Sequence, residues 1–176
     1  AAAAAAALRG RTETGDVSEE TKIANRNWGG TRIFVRDASK LVPAHLLGNS
    51  DPFVNVQGFI GNKKLGQTEN LWMTQKVEWP ERNTNSFKIT APDLAGGAKL
   101  RLELHHHSHR GTGYFLGAVL FSLEDVRDMP DGEITLTLEK VATIPKNHQT
   151  MVQGQITLVF KREERPRSSR ALRGPR

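Results

Sequence analysis

Asn49-Ser50-Asp51-Pro52-Phe53-Val54 is the stretch that decides how this chain is read. Gly48, just before it, can take a positive φ, and Ser50 and Asp51 can fold their side chains back onto a tight turn. Pro52 then fixes φ near about −65° as an extended segment begins, Phe53-Val54-Asn55-Val56. Upstream lies the apolar stretch Ile33-Phe34-Val35, separated from the turn by a long run of small and polar residues.

Working outward, eight short apolar segments are separated by turn residues: Thr31–Arg36, Pro52–Gln57, Lys63–Thr68, Asn85–Thr90, Ala98–Leu104, Tyr114–Phe121, Glu133–Glu139 and Gln153–Phe160. Alternation is clearest in Leu100/Leu102/Leu104, Ile134/Leu136/Leu138 and Ile156/Leu158/Phe160. A period of two with one apolar face predicts half-buried strands packed on a second sheet, hence an all-β antiparallel sandwich. Leu123–Met129 is predicted to form one helical turn, with Ser122 as its cap. Trp28-Gly29-Gly30 marks the entrance to the domain.

The strand, the long loop and the rigid Ser50-Asp51-Pro52 return into a second strand resemble the C2 domain family, over roughly Gly30 to Phe160. The resemblance implies an eight-stranded β-sandwich in which this loop is the first of three that cup calcium at one end. The last strand, Gly154–Phe160, is similar to the one that comes first in the other circular permutation of the family, so the second (type II) topology is expected. The chain then divides into a low-complexity N-terminal arm (1–29), the C2 domain (30–161) and an Arg-rich tail (162–176).

Five acidic positions supply calcium in the family. The resemblance puts Asp51 at the second of them and His45 at the first. The three on the third loop fall at His106, Ser108 and Tyr114. Calcium takes six to eight oxygen ligands, mostly carboxylate, and no Asp or Glu occurs from Leu104 to Val119. A calcium-silent cup is therefore expected, with no metal and no cofactor.

His105-His106-His107-Ser108-His109 invites a different question, because imidazole suits zinc, copper or nickel. His45, Asp51 and His106 are of the right types, but strand alternation turns His106 away from His105 and His107. The simpler expectation is a half-exposed polar loop at one end of the sandwich. A hydrolase set from Ser108, His106 and Asp51 lacks any supporting context such as Gly-x-Ser-x-Gly. The chain is expected not to be an enzyme.

The formal charge of +6 is unevenly placed. Residues 161–176 carry seven basic residues (Lys161, Arg162, Arg165, Arg167, Arg170, Arg173, Arg176) against Glu163 and Glu164. A polycationic tail seeks an acidic partner: a protein surface, an anionic membrane or, less well supported here, nucleic acid. In some C2 domains a lysine-rich concave face binds phosphoinositide; here Lys63 and Lys64, with Lys76 and Lys88 further on, make a thin version of it. Leu46 and Leu47 are candidates for contact with lipid or protein. Phe115 and Leu116 are expected in the core, and Trp72 and Trp79 are expected to pack in the core or under loops.

The chain has no Cys, so disulfides and thiol chemistry are excluded and no oxidising compartment is required. No apolar run approaches the roughly 20 residues that span a bilayer. Its opening on Ala1 is what a processed or truncated start would give. The expected role is a structural, non-catalytic subunit of a larger intracellular assembly, in cytoskeleton or cilium, or else in a mitochondrial or other organelle complex. Docking on anionic membrane is the alternative.

Overall fold

A computed structural model describes residues 27–43, 53–107, 113–142 and 152–165. Among these described residues ten strands run in chain order: β1 (Trp28–Ser39), β2 (Phe53–Ile60), β3 (Lys63–Gln67), β4 (Leu71–Trp72), β5 (Lys76–Glu78), β6 (Ser86–Ile89), β7 (Lys99–His107), β8 (Gly113–Ser122), β9 (Gly132–Thr137) and β10 (Gln155–Glu164). Two short helices, α1 (Ala91–Leu94) and α2 (Leu123–Asp128), lie between strands.

The strands form two antiparallel sheets. One has the order β5-β1-β10-β9 with β6 also on β1; the other has β3-β2-β7-β8 with β4 also on β2. β5 and β6 pair with different parts of β1, Asp37–Ser39 and Thr31–Phe34. β4 and β3 likewise divide β2. Ten segments thus fill the eight places of the expected sandwich, and the additional β4 and β5 complete shared edges. β10 lies against β1 along its length, in the place expected for the family's second permutation.

Alternation builds the core. Leu100, Leu102 and Leu104 of β7 face Ile33 and Val35 of β1 and Ile156, Leu158 and Phe160 of β10 across one continuous cluster. The sheets approach closely at Gly58, where an added Cβ would stand 2.5 Å from the Phe87 ring of the facing sheet. Only a residue without a side chain fits there. Ser122 caps α2 as expected, its Oγ accepting from Asp125 N–H at 3.0 Å. Trp28 donates through Nε1 to Thr31, whose hydroxyl donates to the Val126 carbonyl, tying α2 to β1. α1 was not expected; Thr90 and Asp93 close it as a capping box.

Two poles follow from the register. At one, Ser39 pairs with Gln155 and Phe53 with His107, which pairs on with Gly113. This pole roots the segments 44–52 and 108–112. At the other, Trp28 pairs with Glu164, and Arg165 N–H donates to the Asn27 carbonyl at 2.8 Å. The described strands begin at Trp28 and end at Glu164. Over β10 the poles are separated by about 33 Å, at ~3.3 Å per residue.

Candidate functional site

The pole that roots segments 44–52 and 108–112 holds the described part of the cup. β7 continues through His107 and β8 begins at Gly113. The histidine run is therefore strand rather than the half-exposed loop expected, as far as His107. The reason is pairing: His106 sits in a rung between Val54 and Tyr114, and His107 between Phe53 and Gly113. His106 continues the inward series Leu100, Leu102, Leu104 and is 0% exposed. Neither of its ring nitrogens has a hydrogen-bond partner. Its ring lies 5.7 Å from that of Tyr114, which is exposed. Burial, and secondarily the charge on His107, pushes the His106 imidazole below its ordinary pKa.

His105 and His107 project together on the opposite face, as alternation requires, with ring centroids 6.2 Å apart. Glu103 is also on that outer face yet only 3% exposed. Arg101 Nε donates to one of its oxygens at 2.5 Å, and His105 Nε2 contacts the other at 2.7 Å. Burial opposes ionisation of Glu103, but the bonds from His105 and Arg101 together outweigh it and hold the carboxyl below its usual range. His107 Nε2 meets Asn55 Oδ1 at 3.2 Å, and Asn55 donates to Asn70 at 2.8 Å. Burial, followed by the charges of His105 and Lys64, pushes His107 down.

Of the five positions that the family would use for calcium, His45, Asp51 and Ser108 lie outside the described residues, as do Leu46 and Leu47. The other two, His106 and Tyr114, are brought together. They offer an imidazole and a phenol where calcium wants a cage of carboxylate oxygens, so these two do not fit the ion. Among the described residues no three His, Asp or Glu side chains are grouped to hold any metal.

The basic candidates divide. Lys63 pairs with Ile60 at the pole from which the flanks leave, away from the roots of segment 44–52. Lys64 Nζ donates to Gln67 on the outer face of the same sheet. Lys76 and Lys88 lie in the other sheet, paired with Glu78 and Glu163, so the four lysines do not form one patch. Arg162 belongs to β10, its backbone N–H donating to Asp131 at 2.6 Å, and Arg165 follows the strand. Arg167, Arg170, Arg173 and Arg176 lie outside the described residues. Trp79 is buried, donating to the Glu69 carbonyl at 3.0 Å, and Phe115 and Leu116 are buried as expected. Trp72 departs from expectation: it is 57% exposed on β4, with its ring 4.5 Å from that of Phe53. Its place beside the loop roots was not readable, because nothing in the sequence announces the two-residue strand β4.

Comparison with solved structures gives the fold its class: it is the fold of C2 domains. The C2A domain of plant extended synaptotagmin 1 superposes with a TM-score of 0.54 at 19% identity, covering 80% of this chain and 98% of that one. The C2A and C2B domains of extended synaptotagmin 2 give 0.53 at 22% identity, covering 86% of this chain and 48% of that one. Human GIVD cytosolic phospholipase A2 gives 0.51 at 20% identity, over 80% of this chain and only 18% of the enzyme. No family model matches the sequence, and no curated protein matches it.

Proposed function

We propose that this chain is a non-catalytic, calcium-independent C2 interaction module, a structural subunit of a larger intracellular assembly that engages an acidic protein surface. The observation that carries the reading is His106. The place that the family resemblance gives to a calcium-binding carboxylate holds a fully buried imidazole with both nitrogens unpartnered. That ring is shut away from solvent, so it is also badly placed to serve Ser108 as a base. The Arg-rich tail supplies the charge for an acidic partner, and it follows directly on Arg165, at the pole remote from the loop roots. Cytoskeletal and ciliary assemblies, whose microtubule surfaces are acidic, suit such a tail.

Calorimetric titration with calcium tests the first part: no heat and an unchanged melting temperature are expected, and micromolar uptake would overturn it. Deleting residues 166–176 tests the second. Incorporation into the parent assembly should weaken, and the wild-type contact should be sensitive to salt. Unchanged incorporation would overturn that part.

A second reading, docking on anionic membrane, draws support from one observation. Trp72 and Tyr114 are the large exposed hydrophobic side chains among the described residues, and both stand at the loop-bearing pole. Tryptophan and tyrosine favour membrane interfaces. Against it, Lys63 and the root of the tail lie at the opposite pole.

A further inference from the structure

We propose that His106 is a pH-operated latch: neutral, it keeps the last two described rungs of β7 closed, and acidification opens them. The inference begins with an anomaly. A neutral imidazole always carries one N–H donor and one acceptor, and buried polar groups are almost always hydrogen-bonded. His106 is fully buried and satisfies neither nitrogen. Such a site tolerates the neutral ring and excludes the charged one, because an imidazolium without partner or solvent cannot be accommodated in a dry core.

Among the described residues the surroundings offer no counter-charge. β2 carries no ionisable residue between Phe53 and Ile60, and the one such residue of β8 is Tyr114, against the ring. On its own strand His105 and His107 point to the other face, and His107 is the neighbour whose charge opposes protonation. Leu41 and Val42, just past the end of β1, are apolar and buried. Asp37 is engaged by Thr157 at 3.1 Å, and Lys40 is exposed. Glu139 is bound through its backbone to Ala118, on the far edge of β8.

The location makes the device local. Among the described residues, His106 occupies the rung Val54–His106–Tyr114 and only Phe53–His107–Gly113 lies beyond it. Terminal rungs open at far lower free energy than a sheet interior. The opened form takes up a proton at the ordinary histidine value while the closed form resists, so the closed form loses ground as pH falls below about 6.5.

The test is amide hydrogen exchange on the full chain at pH 7.5 and 5.5, corrected for intrinsic rates, in wild type and His106→Leu. In wild type, protection at Val54, His106, His107 and Tyr114 should fall by up to about tenfold per pH unit below the ordinary value, while Ile33 and Phe160 remain protected. In His106→Leu the pH dependence at these amides should vanish. An equal acid response in the variant, or none in wild type, would overturn the latch. Should the variant not fold, the NMR titration of the His106 ring in wild type decides. Protonation below the ordinary value, together with loss of protection, supports the latch. Protonation at or above that value, or with these rungs still protected, overturns it.

Discussion

Glu103 and His105, two residues apart on β7, are joined by a 2.7 Å contact between carboxylate and imidazole on the outer face of the sheet, and Arg101 holds the other carboxylate oxygen. Glu103→Gln leaves Arg101 and His105 with a neutral partner in a nearly buried place. Losing one charge-assisted bond there should lower stability by about 1–3 kcal/mol at pH 7 in urea unfolding. The carboxyl's folded pKa is depressed, so its contribution is present above the ordinary value of 4.5 and is lost as pH falls through the folded value. Wild type and variant should therefore converge in stability on the acid side of that value. A gap that persists unchanged to the acid limit would refute the assignment.

Gly58→Ala tests how closely the two sheets approach. The new methyl would meet the Phe87 ring at 2.5 Å, so ring or backbone must move. Overpacking of this kind costs about 1–3 kcal/mol, and a lower melting temperature with an unchanged far-ultraviolet spectrum is expected. Phe87→Leu on the Gly58→Ala background should recover part of the loss; a further drop of full size would mean that the contact is not the cause.

Trp72 distinguishes the two functional readings. For a module that engages protein, phosphatidylserine vesicles should leave the tryptophan emission unchanged. A blue shift seen in wild type and absent in Trp72→Phe would favour membrane docking instead. The tilted ring contact with Phe53 gives Trp72→Ala a modest effect on folding, about 0.5–1.5 kcal/mol.

Truncation should reveal where the domain stops. Removing residues 166–176 leaves every described strand pair intact, and the melting temperature should not change. Removing 162–176 deletes the pairing of Arg162, Glu163 and Glu164 with β1 and both ion pairs of Glu163, to Arg32 at 2.7 Å and to Lys88 at 2.5 Å. That longer deletion should destabilise the domain measurably in urea. Equal melting of the two truncations would show that the end of β10 contributes nothing.

The sandwich was legible because its central strands alternate cleanly: Leu100, Leu102, Leu104 and Ile156, Leu158, Phe160 can satisfy that pattern only by facing a core. Short edge pieces were not. Leu71–Trp72 and Lys76–Glu78 are strands because β2 and β1 offer free hydrogen-bonding groups there, a property of their partners rather than of their own sequence. The same holds at the site. Nothing about three consecutive histidines says that a strand continues, and the pairing of His106 with Val54 and Tyr114 comes from sequence far away on either side. The burial of His106, which is the main feature of this pole, is a tertiary fact.

The bond from Arg165 to Asn27 gives the domain a single doorway. Tension applied through the two flanks would open β1 and β10 like a zipper from that end, breaking one rung after another instead of shearing all of them at once. A module hung this way yields at low force and closes again readily.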